Sequence, residues 1–589
     1  MNRLASSLSP YLQQHAANPV DWREWSEETL AEAKALDKPL FISVGYAACH
    51  WCHVMAHESF EDAEIAALVN EFTVPVKVDR EERPDVDAVY MQATIAIAGQ
   101  GGWPMTVFAA PDGTPFFAGT YFPREHFARL VNAVGTAWAT QRSDLMEQGK
   151  AVVQACATGG PVLADVSDSC PIDGPCPAGA PIEAGVLDAA AEQVARAFDR
   201  AHGGFGGAPK FPTAPVLDFL LRQHARTGEA ASLMVVERTA EAMARGGIYD
   251  QLGGGYARYS VDAAWVVPHF EKMLYDNALL LDLHTRLDGP LHRRVAGEVA
   301  RFIVDGLGTA EGGFASAFDA DTDGVEGLTY VWTPGQLLDV LGEDAEWAAR
   351  LFEVTQQGTF EHGASVLQLL ADPDDEARYA RVRDRLRLAR DARPQPGRDD
   401  KVVAAWNALA VTALTEYARV HGQEWADRAA ERAATLLHEL HTVDGRLRRV
   451  SRDGTAGAAA GVLEDYGATA VAYLARHRAT GEAVWLDRAK VLVDVIDARF
   501  ATGDGGFHDT ADDAEALVSR PSDPTDGPTP SGWALAARAY AEYAETTGDP
   551  YYRDAAYRAL AVAEPVLTQH PRFAGGLGVA AEVMRGHLF

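Results

Sequence analysis

Two cysteines that are three positions apart offer the most clearly defined chemistry in this sequence. Cys49-His50-Trp51-Cys52 follows an apolar run, PLFISVG (39–45), and opens the stretch HVMAHESF, which has helical character. A cysteine at a helix start meets unpaired backbone N–H groups and positive potential, and both stabilise a thiolate. We therefore predict that Cys49 attacks a disulfide and that Cys52, one turn later, resolves the mixed disulfide.

Pro104 adds a second feature of the same kind. Trp103-Pro104 immediately precedes a predicted strand, MTVFAA. In thioredoxin-like folds a cis-proline at the start of this strand packs beside the C-x-x-C motif and presents its backbone to the substrate. We expect Pro104 to hold that place. The charged run DREERPD (79–85) after a predicted strand is expected to form salt bridges that support the active-site loop.

Other chemistry fits the same cysteines. Cys49, Cys52 and His53 match C-x-x-C-H, the haem-attachment pattern, which requires export, and the first residues lack an apolar signal. Together with His50 and His57 the cysteines could bind zinc, but a second, separated ligand pair is not evident. A pair of buried, unreactive thiols is the third alternative. We favour thiol–disulfide chemistry and predict no metal and no cofactor.

A second candidate site combines acids, aromatics and a histidine. The stretch 246–281 is Gly-rich at its start and also contains Arg258, Asp262, Tyr275 and Asp276. Aromatic faces and hydrogen-bonding side chains are what a sugar-binding cleft uses. We predict a pocket built from Asp250, Tyr259, Trp265, His269 and Glu271, with Asp321, Glu326, Trp406 and Asp465 added from other segments.

His269 is the expected base of that pocket, and Glu271 is expected to orient it or to act as the acid. An acid beside aromatic rings lies in a medium of low dielectric, which raises its pKa and suits it to donate a proton. The alternative is that these groups only join helices through buried hydrogen bonds.

The elements that position these residues differ between the two parts of the chain. In the N-terminal part we predict strands at 39–45 and 73–79, a hairpin at 104–119, and helices at 61–71 and 124–156, which is an α/β pattern. Pro75 favours an edge position or an irregular start for the second strand, because proline cannot donate a hydrogen bond to a sheet.

The remaining sequence reads as a long succession of helices. Residues 158–182 are rich in Pro, Gly and Asp, so we predict domains at 1–157 and 183–589 joined by a linker. Ala- and Leu-rich helical segments follow, and Gly-Gly-Phe recurs at 203–205, 312–314 and 505–507, with Gly-Gly-Gly-Tyr at 253–256. This weak repeat favours an array or a closed ring of helical hairpins whose turns have the same local structure.

Charge and cysteine content exclude some functions. The chain of 589 residues has 52 Lys and Arg against 84 Asp and Glu, a formal net charge of −32. Such acidity disfavours binding to nucleic acids and to anionic membranes. Charges interrupt every apolar run before it reaches the length of a membrane span. The odd count of 5 cysteines fits a reducing compartment, and we predict a cytoplasmic protein.

Long motifs resemble those of the spermatogenesis-associated protein 20 family. They are SPYLQQHAANPVDW (9–22), KPLFISVGYAACHWCHVMAHESF (38–60), VKVDREERPDVDAVYM (76–91), GGWPMTVFAAPDGTPFFAGTYFP (101–123), FGGAPKFP (205–212), GGIYDQLGGGYARYSVDAAWVVPHFEKMLYDNALLL (246–281), ASAFDADTDGVEGLTYVWT (315–333), DDKVVAAWNALA (399–410) and LEDYG (463–467). The resemblance implies an α/β thioredoxin-like N-terminal domain and an all-α C-terminal (α/α)6 barrel like those of six-hairpin glycosidases and N-acylglucosamine 2-epimerases.

Two hypotheses for the function follow. The first is a thiol–disulfide oxidoreductase, acting on a protein or small-molecule disulfide, whose barrel binds or selects the substrate. The second is a carbohydrate-active barrel, epimerase-like or hydrolase-like, or a non-catalytic barrel that binds sugar or protein. In this second case the thioredoxin-like domain is regulatory.

Overall fold

The computed structural model describes residues 2–157 and 181–586, which fall into two compact units. Residues 2–157 form the first unit together with Arg448–Val462 and His508–Ser522, and the other described residues form the second. The predicted linker, 158–182, lies outside the described residues except for its last two positions, and the predicted domain boundaries stay predictions. Within the described ranges, no helix combines the length and the apolar character that crossing a membrane requires.

The first unit alternates helices with strands. In chain order its elements up to residue 157 are α1 (Pro10–Gln14), β1 (Arg23–Glu24), α2 (Glu27–Leu36), β2 (Leu40–Gly45), α3 (His50–Met55), α4 (Ala63–Phe72), β3 (Val74–Asp79), α5 (Pro84–Ala98), β4 (Met105–Ala109), β5 (Pro115–Gly119), α6 (Arg124–Thr140) and α7 (Arg142–Ala157).

These strands form one five-stranded sheet in the order β1-β3-β2-β4-β5. β1, β3 and β2 run parallel, whereas β4 is antiparallel to β2 and β5 is antiparallel to β4. The predicted strands and hairpin are confirmed. The edge position predicted from Pro75 is wrong, because β3 lies between β1 and β2. β1 pairs only with Val76 and Lys77, so Pro75 lies beyond the reach of that short strand.

Both faces of this sheet are covered, which explains the continuous apolar run of β2. Ile42 and Val44 belong to a buried cluster on one face, while the Phe41 ring stacks on Phe108 on the other face, with centroids 5.3 Å apart. α5 packs against α7, and α4 packs against α6. A strand buried on both sides is typically apolar at every position. This arrangement is the thioredoxin-like fold, as the resemblance implies.

The second unit is mostly helical. Its helices in chain order are α8 (Ala184–Arg196), α9 (Ala214–Thr227), α10 (Ala230–Arg245), α11 (Leu274–Arg286), α12 (Pro290–Arg301), α13 (Pro334–Leu341), α14 (Ala345–Leu351), α15 (Glu376–Asp391), α16 (Ala404–His421), α17 (Glu424–Glu439), α18 (Leu463–Thr480), α19 (Ala483–Arg499), α20 (Gly532–Thr547), α21 (Pro550–Gln569) and α22 (Gly575–Val583).

Within residues 181–586, six of these helices close into an inner ring. α9, α11, α16, α18, α20 and α22 each contact the next, and α22 contacts α9. Each inner helix follows an outer helix in the chain; the outer helices are α8, α10, α12, α17, α19 and α21. The unit is therefore an (α/α)6 barrel, in agreement with the predicted fold class. α13, α14 and α15 are inserted between α12 and α16.

Short strands lie between helices of the second unit and in the segment Arg448–Val462 of the first unit. They are β6 (Tyr259–Ser260), β7 (Pro268–His269), β8 (Lys272–Met273), β9 (Ala317–Phe318), β10 (Asp321–Thr322), β11 (Val325–Glu326), β12 (Arg398–Asp399), β13 (Val402–Val403), β14 (Thr442–Val443), β15 (Arg446–Leu447), β16 (Val450–Arg452) and β17 (Thr455–Ala456).

The Gly-Gly-aromatic repeat marks equivalent turns of the barrel. The aromatic residue of each copy forms an isolated antiparallel bridge with a residue six or seven positions earlier; the pairs are Phe198–Phe205, Tyr249–Tyr256, Gly308–Phe314 and Ala501–Phe507. Each bridge lies between an outer helix and the next inner helix. The predicted repeat is thus confirmed as a structural one.

Two asparagines fasten these turns to inner helices in the same way. Asn277, in the first turn of α11, accepts the backbone N–H of Tyr256 at 2.7 Å and donates to its carbonyl at 3.0 Å. Asn407, in the first turn of α16, makes the same two bonds with Phe314, also at 2.7 Å and 3.0 Å. Because both asparagines are buried, these bonds hold the segment before each inner helix at one end of the barrel.

Candidate functional site

The C-x-x-C motif lies where β2 ends and α3 begins. Cys49 is the residue before α3, and its Sγ accepts a hydrogen bond from the backbone N–H of Cys52 at 3.3 Å. The two cysteines form a disulfide, and they are 4% and 1% exposed. The structure therefore places the predicted attacking sulfur at a helix N-terminus, where unpaired N–H groups stabilise a thiolate.

Pro104 lies beside the turn that leads from β2 to the motif. β4 begins one residue after Pro104, with Met105 paired to Val44 near the end of β2. The Trp103–Pro104 peptide bond is cis. The Trp103 ring also makes an edge contact with Tyr46, with the ring centroids 6.0 Å apart. Pro104 thus adjoins the strand end that carries the cysteines.

Part of the charged run 79–85 supports the residue before this proline. The guanidinium of Arg80 lies 3.9 Å from the centroid of the Trp103 ring and forms a salt bridge with Asp87 at 3.3 Å. Asp87 also accepts a hydrogen bond from Trp103 Nε1 at 2.8 Å. Burial raises the pKa of Asp87, although Arg80 and Trp103 favour its charged form. The charged run thus supports Trp103, beside Pro104, and its support of the C-x-x-C loop itself stays a prediction.

Trp51, between the two cysteines, exposes an aromatic surface next to the disulfide. Its side chain is 53% exposed and contacts the Tyr121 ring, with centroids 5.2 Å apart. The Tyr121 hydroxyl donates to Glu58 at 2.5 Å, and partial burial together with this hydrogen bond raises the pKa of Tyr121 to about 12. An exposed aromatic surface at this position suits contact with a docking protein.

In the barrel unit, His269 forms the centre of a cluster of acids and aromatics. Its Nδ1 lies 2.6 Å from Glu326, and its Nε2 lies 3.7 Å from Glu271. Glu271 in turn lies 3.2 Å from the Arg258 guanidinium. The Tyr259 ring stacks on His269 with centroids 5.0 Å apart. The structure thus brings together four predicted residues from two separate segments.

The two glutamates determine the charge of the imidazole. Burial alone lowers the pKa of His269. The hydrogen bond with Glu326 and the charge of Glu271 raise this pKa by more than burial lowers it, so the pKa of His269 lies above its usual value of 6.5. A larger fraction of the ring is therefore protonated at neutral pH than for an exposed histidine. This state suits His269 to donate a proton, and its role as a base stays a prediction.

Asp276 and Tyr275 extend the cluster toward a neighbouring inner helix. The Tyr275 ring makes an edge contact with Trp406, with centroids 4.7 Å apart, and Arg258 lies 6.0 Å from the Tyr275 centroid. Asp276 is buried, and within the described residues its Oδ2 has no hydrogen-bond partner. Burial raises the pKa of Asp276 well above 3.8, which favours the protonated form of this acid.

Asp276 belongs to the candidate stretch 246–281, but it is not one of the residues predicted to build the pocket. The signal that could have identified Asp276 was an acid beside an aromatic residue at the start of a helix. Trp406 and Asp465 also combine an aromatic residue with an acid, at the starts of two other inner helices. Asp465, at the start of α18, accepts a hydrogen bond from the backbone N–H of Ala405 at 3.0 Å. It therefore adjoins Trp406, at the start of α16. Asp321 pairs in register with Glu326 in the small β10–β11 sheet.

Asp250 and Trp265 were also predicted to build this pocket, but the structure shows them in contact with other residues. Asp250 forms salt bridges with Lys272 at 2.8 Å and Arg390 at 2.6 Å. Lys272 follows Glu271, and successive side chains along extended backbone point in opposite directions, so this network lies away from His269. Trp265 is fully buried and donates its indole N–H to the carbonyl of His202 at 3.0 Å.

Comparison with known proteins matches both parts of the chain. The family model Thioredox_DsbH, described as "Protein of unknown function, DUF255", matches residues 1–157. The chain is 36% identical to human spermatogenesis-associated protein 20, over 91% of this chain and 75% of that protein. It is 35% identical to the mouse protein of the same name, over 94% of this chain and 77% of that protein. An uncharacterized protein of Caenorhabditis elegans is 33% identical over 91% of this chain.

Solved structures similar to this chain include two sugar enzymes. Cellobiose 2-epimerase from Spirochaeta thermophila is 15% identical, with a TM-score of 0.45 over 69% of this chain and 95% of that chain. The α-1,6-mannanase from Salegentibacter sp. is 14% identical, with a TM-score of 0.41 over 69% of this chain and 99% of that chain.

Proposed function

The chain belongs to the spermatogenesis-associated protein 20 family, and on that premise we propose that it is a thiol–disulfide oxidoreductase whose barrel binds or selects the substrate. The substrate class is a protein or small-molecule disulfide. The odd number of cysteines favours the cytoplasm as the compartment, where a disulfide is more often catalytic or redox-sensing than structural.

The observation that carries this proposal is the Cys49–Cys52 disulfide at the start of α3. In the reduced protein, the Cys49 thiolate attacks one sulfur of the substrate disulfide and expels the other as a thiolate. The Cys52 thiolate then attacks Cys49 Sγ, which releases the second substrate thiolate and re-forms the disulfide. The substrate gains two electrons and the cysteine pair loses them.

Selective alkylation tests the role of Cys49. After reduction, we expect iodoacetamide at mildly acidic pH to label Cys49 before the other cysteines, because only a thiolate reacts and the helix start lowers the pKa of this thiol. Peptide mapping by mass spectrometry measures the order of labelling. Cys156 is an internal control, since burial raises its pKa and it should react late. Early labelling of Cys156 with Cys49 inert would contradict the proposal.

The His269 cluster favours a second candidate, a barrel that is itself active on carbohydrate. Stacked aromatic rings, two glutamates and the buried acid Asp276 are groups that can bind sugar hydroxyls and exchange protons with them. In this alternative the cysteine pair regulates the barrel. A barrel that binds a sugar or a protein without turnover would use the same contacts.

A substitution in the cluster separates these alternatives. We expect His269→Ala to reduce glycan binding about tenfold or more, since a buried hydrogen-bonding side chain is lost, while the thiol reactivity of Cys49 stays unchanged. A glycan array measures binding, a turnover assay measures activity on the bound glycan, and alkylation of Cys49 measures thiol reactivity. His202→Ala, at a largely exposed histidine of the same unit, is the matched control. Equal glycan binding by both variants and the parent would argue against a sugar site here.

A further inference from the structure

Tyr11 brings a hydroxyl from the N-terminal helix α1 to the inner side of the C-x-x-C motif. The hydroxyl of Ser9, the residue before α1, donates to Asp79 at the end of β3 at 2.6 Å. This bond fixes α1 against the sheet. Tyr11 is fully buried, and the Lys77 ammonium lies 5.0 Å from its ring centroid.

Gly45 allows the Tyr11 hydroxyl to come close to the second cysteine. A Cβ atom on Gly45 would lie 2.3 Å from the Tyr11 hydroxyl oxygen and 2.7 Å from Cys52 Sγ. The two atoms therefore border the same small space, which only glycine leaves open. Any side chain here would displace one of them.

The Tyr11 hydroxyl has no hydrogen-bond partner within the described residues of the chain. A buried hydroxyl without a partner is costly, and such groups are rare unless another state of the protein satisfies them. Burial, and then the charge of Asp79, raise the pKa of Tyr11 well above 10, so the group stays a neutral O–H donor. The nearby sulfur of Cys52 is a weak acceptor while it is held in a disulfide.

We propose that the Tyr11 hydroxyl donates a hydrogen bond to the Cys52 thiolate whenever the disulfide is open, and that Tyr11 is thus a catalytic residue of the reaction proposed above. The inference rests on that proposed function. It adds to it a specific group that activates the resolving cysteine.

The chemistry of resolution requires such a donor. Cys52 is 1% exposed in the disulfide form, so water has little access to this sulfur. When the Cys52 thiolate attacks Cys49 Sγ, the bond from Cys49 to the substrate sulfur breaks and the substrate leaves as a thiolate. The Tyr11 proton stays on its oxygen throughout, and the hydrogen bond stabilises the attacking anion before the new S–S bond forms.

Other titratable groups lie on the elements that adjoin Cys52. They are His15 directly after α1, Tyr46 before α3, His50 and His53 in α3, and Lys77 and Asp79 on β3. Burial lowers the pKa of Lys77 well below 10.5, and Lys77 Nζ donates to Ser43 at 3.0 Å. Burial, followed by the charge of Lys77, lowers the pKa of His15. A single substitution at Tyr11 leaves all of these groups in place.

Ellman's reagent, 5,5′-dithiobis(2-nitrobenzoate), separates attack from resolution in the reduced full-length chain with Cys156, Cys170 and Cys176 changed to serine. Attack by Cys49 releases one thionitrobenzoate anion, and resolution by Cys52 releases the second. We expect Tyr11→Phe to leave the first release unchanged. The second release should slow about tenfold or more at pH 7, and the midpoint of its pH profile should rise by about one unit.

Tyr90→Phe is the matched control, because it removes another buried hydroxyl of the same unit, one that donates to the carbonyl of Gly113 at 2.9 Å. It should change neither release. A Tyr11→Phe protein with an unchanged second release and pH profile would overturn the inference. Absence of the first release in the parent protein would instead refute the proposed function, and the inference with it.

Incorporation of 3-fluorotyrosine at position 11 tests the same bond if Tyr11→Phe does not fold. The fluorinated phenol is more acidic and donates a stronger hydrogen bond, while its ring has nearly the same size. We expect the midpoint of the pH profile for the second release to fall. An unchanged midpoint in this protein would also overturn the inference.

Discussion

Cys49→Ser is expected to lower the rate of thiol–disulfide exchange by a factor on the order of 10³ or more, because the attacking sulfur is lost. Cys52→Ser should act differently, since Cys49 can still attack but the mixed disulfide cannot be resolved. The structure gives this difference a basis: Cys49 caps α3 with its sulfur, and Cys52 lies one turn inside the helix. The assay is reduction of a disulfide-bonded protein such as insulin, followed by thiol release.

Mass spectrometry of the Cys52→Ser reaction should show a covalent adduct of the chain with its substrate, and a reductant should remove it. Cys156→Ser is the control, because this half-buried thiol on α7 takes no part in the proposed reaction. It should leave the rate unchanged. An active Cys49→Ser protein, or a Cys52→Ser protein that forms no adduct, would contradict the assignment of roles.

The elements around the cysteines could be predicted because their signals are local. β2 is apolar at nearly every position, since both of its faces are buried, and the C-x-x-C motif follows it directly. Pro75 misled the prediction because its effect depends on how far the neighbouring strand extends. β1 pairs with only two residues of β3, and the length of a partner strand is not readable from the residues of β3 itself.

The barrel helices were also predictable, whereas the closure of the ring was not. Helical periodicity and terminal glycines are properties of each segment alone. The contact between α22 and α9 joins segments that are more than 300 residues apart. The local pattern left open whether the helices form an array or a closed ring, and the family resemblance implied a closed ring. The Gly-Gly-aromatic repeat was a valid local signal, because every copy forms the same bridge.

Candidate site residues were predictable where they share a segment. Because His269 and Glu271 are only two positions apart in the sequence, they could be expected to lie close together in the fold. Asp250 belongs to the same stretch, but its partner Arg390 lies 140 residues away, and this partner draws it into a different network. Side-chain pairing across such distances depends on the packed fold, so composition alone could not separate Asp250 from the cluster.

Gly575→Ala is expected to destabilise the barrel by about 2–3 kcal/mol, because it overpacks the contact that closes the inner ring. Gly575 begins α22 with ordinary helical geometry, and a Cβ atom there would lie 2.4 Å from the carbonyl carbon of Pro215 and 2.5 Å from the nitrogen of Val216. These are backbone atoms of α9, so no side-chain rotation relieves the clash. α22 would have to move away from α9.

Gly185→Ala is the control, and it is not expected to destabilise the protein. Gly185 lies in the first turn of α8, and a Cβ atom there meets nothing within 4 Å. Because alanine favours a helix over glycine, Gly185→Ala should be neutral or stabilise by up to about 1 kcal/mol. Urea unfolding followed by circular dichroism measures both variants. Equal midpoints for the two would mean that α22 does not approach α9 closely, because a separated pair of helices would leave room for the added methyl group.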